Sequence, residues 1–309
     1  MEKAIEIMKE VQKVVVGKER TILSVMCAML AGGHILLEDI PGVGKTTMAL
    51  AFARAMDLSF KRTQFTPDVM PTDVTGYSLY NRETGTNTYV PGAVMCNLFL
   101  ADEINRTSSK TQSALLEVME EGSVTVDGVT RRPPSPFWVI ATQNPVGSAG
   151  TQLLPESQMD RFMVCLSMGY PEVKEEVHIL QSRQTQNPLD LVQRVAGPEE
   201  ILKMQEQVRE IYAADVVCEY AANLAAWTRS TPMIRLGISP RGTLALMRMA
   251  KAAAFLINKE YVVPENIQSV FLDVCAHRVL LSSKSRVGGM SARDVLETAL
   301  REVPVPGIG

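Results

Sequence analysis

The sequence has no excess of positive charge and few cysteines, and each absence argues against a class of function. Its 309 residues include 31 Lys and Arg against 34 Asp and Glu, and the two signs are interleaved along the chain. No basic face that could bind duplex nucleic acid is therefore evident, and we expect the protein not to bind nucleic acid. The five cysteines are odd in number and widely spaced. They predict buried thiols in a reducing compartment rather than disulfides or a metal site.

The sequence also lacks a signal-peptide pattern and an unbroken apolar run of membrane length. Charged and apolar residues alternate at the N-terminus, and the longest apolar stretch, residues 21–37, is interrupted by Gly32, Gly33 and His34. We therefore expect a cytoplasmic protein without membrane insertion. Hydrophobic residues still make up 46% of the chain, enough for one large or two moderate folded domains.

A glycine-rich loop between an apolar strand and a helix is the most informative segment that is present. The short run 33–37 begins with glycine and ends in three aliphatic residues, which favours a buried strand leading into the loop. Glycines there let backbone N–H groups converge on phosphate oxygens at the start of the next helix. Lys45 would reach the terminal phosphates and Thr46 would ligate Mg²⁺. The candidate phosphate contacts are Gly42, Val43, Gly44, Lys45, Thr46 and Thr47.

One residue departs from the general phosphate-loop pattern. Asp39 stands where that pattern opens with glycine. The competing interpretation is a chance Gly-x-Gly-Lys-Thr-Thr in an ordinary loop, so further strand ends have to support nucleotide binding.

Polar side chains follow two further apolar strands of the predicted sheet. Asp102 and Glu103 come directly after the run 97–101, and Asn144 follows the run 137–142. Parallel sheets bind ligands at the carboxyl ends of their strands. Asp102 can hold the water shell of Mg²⁺, Glu103 can deprotonate an attacking water, and Asn144 can orient it. The alternative, strands that simply meet solvent, explains the grouping less well.

Six segments together resemble the MoxR family of AAA+ ATPases, in the helix-2-insert branch that includes magnesium chelatase ATPase subunits. The resemblance covers nearly the whole chain, and its ordered motifs are far more specific than a phosphate loop alone. The segments are residues 64–68, 101–107, 112–121, 141–145, 154–162 and 237–241.

The resemblance implies a role for each candidate residue. It places Walker A at residues 42–47, Walker B at Asp102 and Glu103, and sensor 1 at Asn144. It also implies an arginine finger at Arg161 and a sensor 2 arginine at Arg241. A local salt bridge with Asp160 is the alternative for Arg161. We expect Arg241 to neutralise phosphate charge together with Lys45 and Mg²⁺, and Arg161 to arrive from a neighbouring subunit. Adenine is expected near Val16 and Gly17.

The predicted fold is an α/β P-loop NTPase core with a parallel sheet flanked by helices, followed by an all-α lid. We place the core at residues 1–185 and the linker and lid at residues 186–309. Two β-hairpins are predicted inside the core, over residues 75–92 and 123–131. They would either carry function or merely cover the sheet.

Helix start signals organise the second half of the chain, which is expected to be helical throughout. Pro198, Pro240 and Pro264 stand at first-turn positions, and Ser239 and Ser291 are predicted N-caps.

The predicted function is ATP hydrolysis, with ATP and Mg²⁺ as cofactors, by a chaperone-like protein that forms a homo-oligomeric ring, expected to be a hexamer. The family implies a partner with a von Willebrand factor A domain and client protein complexes to remodel. Two alternatives stay open: a nucleic-acid-associated motor of the same branch, and a nucleotide-gated scaffold without hydrolysis.

Overall fold

The computed structural model of the chain describes residues 1–40, 42–83, 85–144, 154–182, 184 and 187–307. Pro41 in the loop, Thr84 in the first hairpin turn, and the predicted domain boundary at residues 185 and 186 lie outside these ranges. That boundary stays a prediction.

Eleven strands are present in the described residues, and five of them form one parallel sheet in the order β2-β5-β8-β1-β9. The strands are β1 (Ile35–Glu38), β2 (Phe60–Gln64), β3 (Gly76–Asn81), β4 (Thr86–Pro91), β5 (Leu98–Asp102), β6 (Val124–Val126), β7 (Val129–Arg131), β8 (Trp138–Gln143), β9 (Val164–Leu166), β10 (Ile234–Leu236) and β11 (Leu280–Leu281).

Helices cover both faces of that sheet and build the C-terminal part of the protein. They are α1 (Glu2–Gln12), α2 (Glu19–Leu30), α3 (Lys45–Ala55), α4 (Pro71–Thr75), α5 (Ser109–Glu121), α6 (Glu156–Met159), α7 (Val173–Ser182), α8 (Pro198–Glu210), α9 (Asp215–Ser230), α10 (Pro240–Leu256), α11 (Pro264–Cys275), α12 (Ser283–Val287) and α13 (Ala292–Glu302). No helix in the described part of the chain combines the length and apolarity needed to cross a bilayer.

The central strands are buried on both faces, which explains their continuous apolar sequences. In β5, Leu98 and Leu100 belong to an apolar cluster shared with α2 and α3, whereas Phe99 and Ala101 belong to a second cluster shared with α5. Successive side chains of a strand point to opposite faces, so each strand contributes to both clusters. The sheet is held in place between them.

The two predicted hairpins are present as β3–β4 and β6–β7. Asp127 and Gly128 both have positive φ, 51° and 74°, as a two-residue hairpin turn requires. The Arg131 guanidinium lies 4.0 Å from the centre of the Tyr89 ring, and the Tyr89 hydroxyl donates to the Thr75 carbonyl oxygen at 2.6 Å. Tyr89 therefore ties the hairpins together.

The prediction of a purely helical second half is wrong at one place. Strands β10 and β11 pair antiparallel, with Ile234 opposite Leu281. Both strands are very short, and only their pairing in the folded chain distinguishes them from loop. Strand β2 was likewise not predicted, because its sequence, Phe-Lys-Arg-Thr-Gln, is mostly polar at a sheet edge. The predicted first-turn prolines and both serine N-caps are confirmed.

The expectation of buried thiols holds for three cysteines and fails for one. Cys27, Cys96 and Cys275 are buried, Cys165 is half-buried, and Cys218 is exposed on α9. Burial raises the pKa of Cys27 and Cys275 to about 12, which keeps both thiols protonated and unreactive.

A buried arginine joins the C-terminal helices to the core. The Arg278 side chain is 2% exposed, and its Nε donates to Asp160 Oδ1 at 2.7 Å. The guanidinium also donates to the carbonyl oxygens of Phe162 and Met163 at 2.5 and 3.1 Å. Replacing one partner would leave a buried charge uncompensated. This contact fixes where α10 lies relative to the sheet, because Gly242 packs directly on the Arg278 side chain.

Two half-buried histidines make the fold sensitive to acid. The Val139 N–H donates to His34 Nδ1 at 2.9 Å, and His34 Nε2 lies 3.0 Å from the Met119 carbonyl oxygen. Only the neutral ring with its proton on Nε2 satisfies both contacts. Burial lowers the pKa of His34 to about 4 and that of His277 well below its ordinary value.

We therefore expect the free energy of unfolding to fall as the pH drops from 6.5, the ordinary histidine pKa, to about 4, the pKa of His34 in the folded protein. In that range these rings gain protons only on unfolding, so each contributes a slope of about 1.4 kcal/mol per pH unit. Urea unfolding across the range measures the slope. His34→Gln can keep both hydrogen bonds and should reduce it, whereas His178→Gln on the exposed side of α7 should not. An unchanged slope in His34→Gln would contradict the assignment.

Candidate functional site

The carboxyl ends of β1, β5 and β8 meet at one pocket of about 360 Å³. Most of the residues predicted for phosphate, metal and water contacts line it. The lining consists of Asp39, Gly42, Gly44, Lys45, Thr46, Thr47, Arg62, Gln64, Asp102, Glu103 and Asn144. The parallel pairing of the strands is what brings these distant segments together.

The glycine-rich loop has the backbone geometry of an anion site. Gly44 (φ 95°) is the N-cap of α3, which begins at Lys45 and has no side-chain cap. The first N–H groups of α3 therefore have neither an intrahelical acceptor nor a capping side chain. Gly42 (φ 86°) also has a left-handed conformation, and nothing lies within 4 Å of where a Cβ would be. A phosphate group fits this arrangement of amide donors and helix dipole.

The contacts of the Asp39 side chain explain why aspartate stands where the general loop pattern has glycine. Its buried carboxylate accepts hydrogen bonds from the backbone N–H groups of Met168 and Gly169 and from the Ser167 hydroxyl, the last at 3.2 Å. These residues follow β9, so the side chain anchors the start of the loop to the neighbouring strand end. A glycine could not make this connection.

The Lys45 side chain folds back onto the residues that begin the loop. Its Nζ donates to the carbonyl oxygens of Asp39 and Ile40 at 2.8 and 3.3 Å. Burial lowers the pKa of Lys45, while the carboxylates of Asp39, Asp102 and Glu103 act in the opposite direction. An ammonium group in a pocket of this kind gains most from an anion placed beside it.

Asp102 and Glu103 share a contact with Thr142 at the end of β8. The Thr142 hydroxyl donates to Asp102 Oδ1 at 2.7 Å and accepts from the Glu103 N–H at 2.8 Å. Glu103 itself has a left-handed backbone, with φ 55°. This conformation is uncommon for a residue other than glycine, and it turns the Glu103 side chain away from the line of the strand.

The carboxylates of Asp102 and Glu103 are each bound by a different arginine. Arg62 on β2 donates to Asp102 Oδ2 from Nη2 at 2.7 Å, and Arg106 donates to Glu103 Oε2 at 2.6 Å. Neither Arg62 nor Thr142 was predicted as a site residue, because Arg62 lies outside the segments of the family resemblance and Thr142, within the segment 141–145, was given no role. The strand register, with Gln64 opposite Asp102, is what places Arg62 there.

Asn144 lies on the pocket lining, directly after β8. Its backbone carbonyl oxygen accepts a hydrogen bond from Asn105 Nδ2 at 3.2 Å. The residue that follows, Pro145, lies outside the described residues.

A smaller apolar pocket of about 130 Å³ adjoins the loop. Val16 lines it together with Val43 and Ile179, so the predicted adenine region does lie beside the phosphate loop. Gly17 (φ 71°) is tightly covered by Glu175, because a Cβ on Gly17 would stand 1.7 Å from the carboxylate. These aliphatic side chains give the pocket the apolar lining that is common in small-molecule sites, and adenine binding there stays a prediction.

The two predicted phosphate-sensing arginines lie together, away from this lining. Arg161 Nη1 is 3.2 Å from Glu120 Oε2, and Arg241 Nη1 is 3.2 Å from Glu120 Oε1. Arg241 is thus in contact with Glu120 in this structure, and its expected contribution to phosphate charge alongside Lys45 stays a prediction. The alternative contact of Arg161 with Asp160 is wrong, because the Asp160 carboxylate binds Arg278 and Ser239 instead.

Comparisons with known proteins show the family to which the chain belongs. The ATPase family associated with various cellular activities (AAA) matches residues 34–164, and the AAA lid domain matches residues 226–299. The protein YeaC of Bacillus subtilis is 46% identical over 98% of this chain and 94% of its own length. Chaperone MoxR1 of Mycobacterium tuberculosis is 34% identical over 97% of this chain and 81% of its own length. The chain belongs to the MoxR family of AAA+ ATPases.

A solved structure extends the MoxR-family comparison to three dimensions. The crystal structure of a proposed ATPase from Cytophaga hutchinsonii superimposes with a TM-score of 0.91 at 37% identity, covering 99% of this chain and 96% of that one. The predicted fold class, a parallel sheet flanked by helices with a helical lid, is confirmed.

Two substitutions separate binding from chemistry in this pocket. We expect Lys45→Ala to lose most ATP affinity, because its ammonium would contact phosphate in the ground state. Glu103→Gln should keep the affinity and lose turnover by about 10²- to 10⁴-fold, the usual contribution of a general base. Titration of a fluorescent ATP analogue and measurement of phosphate release test both. Glu219→Gln, exposed on α9, is the control. Equal loss of affinity in both site variants would reject these roles.

Proposed function

We propose that this protein binds ATP with Mg²⁺ and hydrolyses it in an oligomer whose active sites are completed by a neighbouring subunit. One observation carries the proposal. The loop, Lys45, Asp102, Glu103 and Asn144 share one pocket, while Arg161 and Arg241 gather on Glu120 and are absent from the described lining of that pocket. A single chain thus holds two incomplete halves of a phosphoryl-transfer site.

The described residues suit the steps of hydrolysis. A water oxygen attacks the γ-phosphorus, the bond from that phosphorus to the β–γ bridging oxygen breaks, and Glu103 takes the proton of the water. Asn144 orients the water, and Lys45 with the loop N–H groups stabilises the phosphate charge. The products are ADP and inorganic phosphate. Glu103 has to exchange its contact with Arg106 to act as base.

Thr46 and Asp102 are the residues that would hold Mg²⁺. Both line the pocket, and hydroxyl and carboxylate oxygens are the ligand types that this ion prefers. Bound there, the ion would neutralise charge on the phosphates. Arg62 already occupies Asp102 Oδ2, so metal loading requires Arg62 to move or to share that oxygen.

Arg161 and Arg241 would both reach the γ-phosphate of the next subunit. A guanidinium offers a fixed fork of donors that matches the phosphate oxygens. Arg241 lies in the first turn of α10, where its charge opposes the helix dipole, and a phosphate oxygen would offset that cost. A closed ring supplies such a neighbour to every subunit, and a hexamer is the stoichiometry we propose.

The work done with this energy is proposed from the family and from one surface. The chain is 34% identical to Chaperone MoxR1, which supports a chaperone role. From the family resemblance we propose that the role is to remodel client protein complexes with a partner that carries a von Willebrand factor A domain. The first hairpin exposes Tyr77 and Tyr80, at 43% and 63%. Exposed tyrosines bury large areas in interfaces at low entropic cost.

Action between subunits predicts complementation. Arg161→Ala should bind nucleotide normally and lose turnover by about 10³-fold or more, the usual contribution of an arginine finger. Mixed with Lys45→Ala, which lacks a working pocket but keeps its arginines, it should recover activity. Phosphate release from mixed and separate variants measures this. Co-assembly is verified independently by light scattering with ATP. Co-assembled variants that stay as inactive as their components would contradict action in trans.

The hairpin surface predicts a separate defect. Tyr77→Ser with Tyr80→Ser should weaken ATPase stimulation by a purified von Willebrand factor A partner about tenfold, because interface tyrosines contribute heavily to binding. Basal ATPase should stay unchanged. Tyr89 is left intact, since its hydrogen bond and its Arg131 contact support the hairpins. Tyr212→Ser, 64% exposed elsewhere, is the control. Loss of a stimulation that only DNA provides would favour a nucleic-acid motor.

A further inference from the structure

One carboxylate connects three separate elements at the proposed intersubunit face. Glu120 lies near the end of α5, Arg161 follows α6, and Arg241 lies in the first turn of α10. Each oxygen of the Glu120 carboxylate forms an ion pair with one of the two arginines, and both N–O distances are 3.2 Å. The side chains are partly exposed, at 29%, 39% and 44% for Arg161, Glu120 and Arg241. A ligand can therefore contact these three side chains without any unfolding of the protein.

The negative charge of Glu120 holds the two positively charged arginines of this cluster together. Two guanidiniums at such short range repel one another, and the dipole of α10 adds to the cost at Arg241. The Glu120 carboxylate lies between them and offsets both terms. The contact of each arginine with Glu120 is at Nη1, and a guanidinium has five N–H donors in all, so one contact does not use them up. The pair keeps donors for phosphate oxygens.

The neighbouring acidic residues do not make the same contact. Glu117 and Glu121 line the groove of about 580 Å³ beside Arg161, but neither forms an ion pair with another residue in the described ranges. Glu121, adjacent in sequence and exposed, is therefore a matched control for Glu120.

We propose that Glu120 is a positioning residue that holds Arg161 and Arg241 as one unit, so that both arginines reach the γ-phosphate of the neighbouring subunit together. This inference rests on the proposed function. It assigns Glu120 to the subunit that donates the arginines, and it gives no role to Glu120 of the subunit that binds the nucleotide. Because Arg241 belongs to the lid and Arg161 to the core, Glu120 also makes the pair depend on the lid position.

The experiment places the Glu120 substitution on one side of the interface at a time. The acceptor subunit carries Arg161→Ala, and the donor subunit carries Lys45→Ala. Glu120→Gln is then added to the donor or to the acceptor, and phosphate release is measured in each mixture. Glu120→Gln in the donor should reduce the recovered activity about 100-fold, the usual effect of misplacing a reacting group by about 1 Å. The same change in the acceptor should leave recovery intact.

Controls separate position from folding. Glu121→Gln in the donor should leave recovery intact, and Glu120→Asp in the donor should restore part of it. Thermal melting and ATP-analogue affinity of the Glu120→Gln protein should match those of the unmodified chain. A general structural role would instead reduce recovery equally from either side, and that result would overturn the inference.

Two further outcomes distinguish this inference from the function on which it rests. If the Lys45→Ala donor restores activity equally with and without Glu120→Gln, the positioning role is wrong and action in trans stands. If co-assembled Lys45→Ala donor restores nothing, action in trans is wrong and the inference falls with it. A rise in activity with Glu120→Gln in the donor would mean that Glu120 masks the arginines, and would also overturn it.

Discussion

The parallel pairing of β5, β8 and β1 is the constraint on which the site depends. It sets Ala101 opposite Ala141 and Glu38 opposite Gln143, so the carboxyl ends of the three strands lie at one edge of the sheet. A shift of the register by one residue would turn every side chain of a strand to the opposite face. The burial of these strands on both faces resists such a shift, because each face contributes to a separate apolar cluster.

Paired charges are the second organising feature. In the described part of the chain, Arg62 binds Asp102, Arg106 binds Glu103, and Glu120 binds both Arg161 and Arg241. The groups proposed for chemistry are thus neutralised by one another. Binding of ATP and Mg²⁺ would exchange the contacts of Asp102 with Arg62 and of Glu103 with Arg106, partly exposed pairs that contribute little to stability individually. The buried Arg278–Asp160 pair differs: it joins lid and core and is shielded from such exchange.

Local sequence patterns predicted those parts of the fold whose physics is local. The helix starts at Pro240 and Ser291 follow from backbone geometry and capping, and the Asp127–Gly128 turn follows from allowed φ values. The short strands β10 and β11 were not predicted, because they pair with each other and lie far apart in sequence. Arg62 was not predicted for the same reason, since its contact with Asp102 depends on the register of β2 and β5.

The sequence by itself determined that the chain has a glycine-rich loop before a helix, carboxylates at a strand end and the ordered motifs of its family, because these are contiguous and each needs particular residue types. Only the tertiary structure decided which groups work together. It placed Arg241 with Arg161 on Glu120, and it used Asp39 to anchor the loop to the segment after β9. These contacts join residues that are distant in the chain, and the packing of lid on core sets their distances.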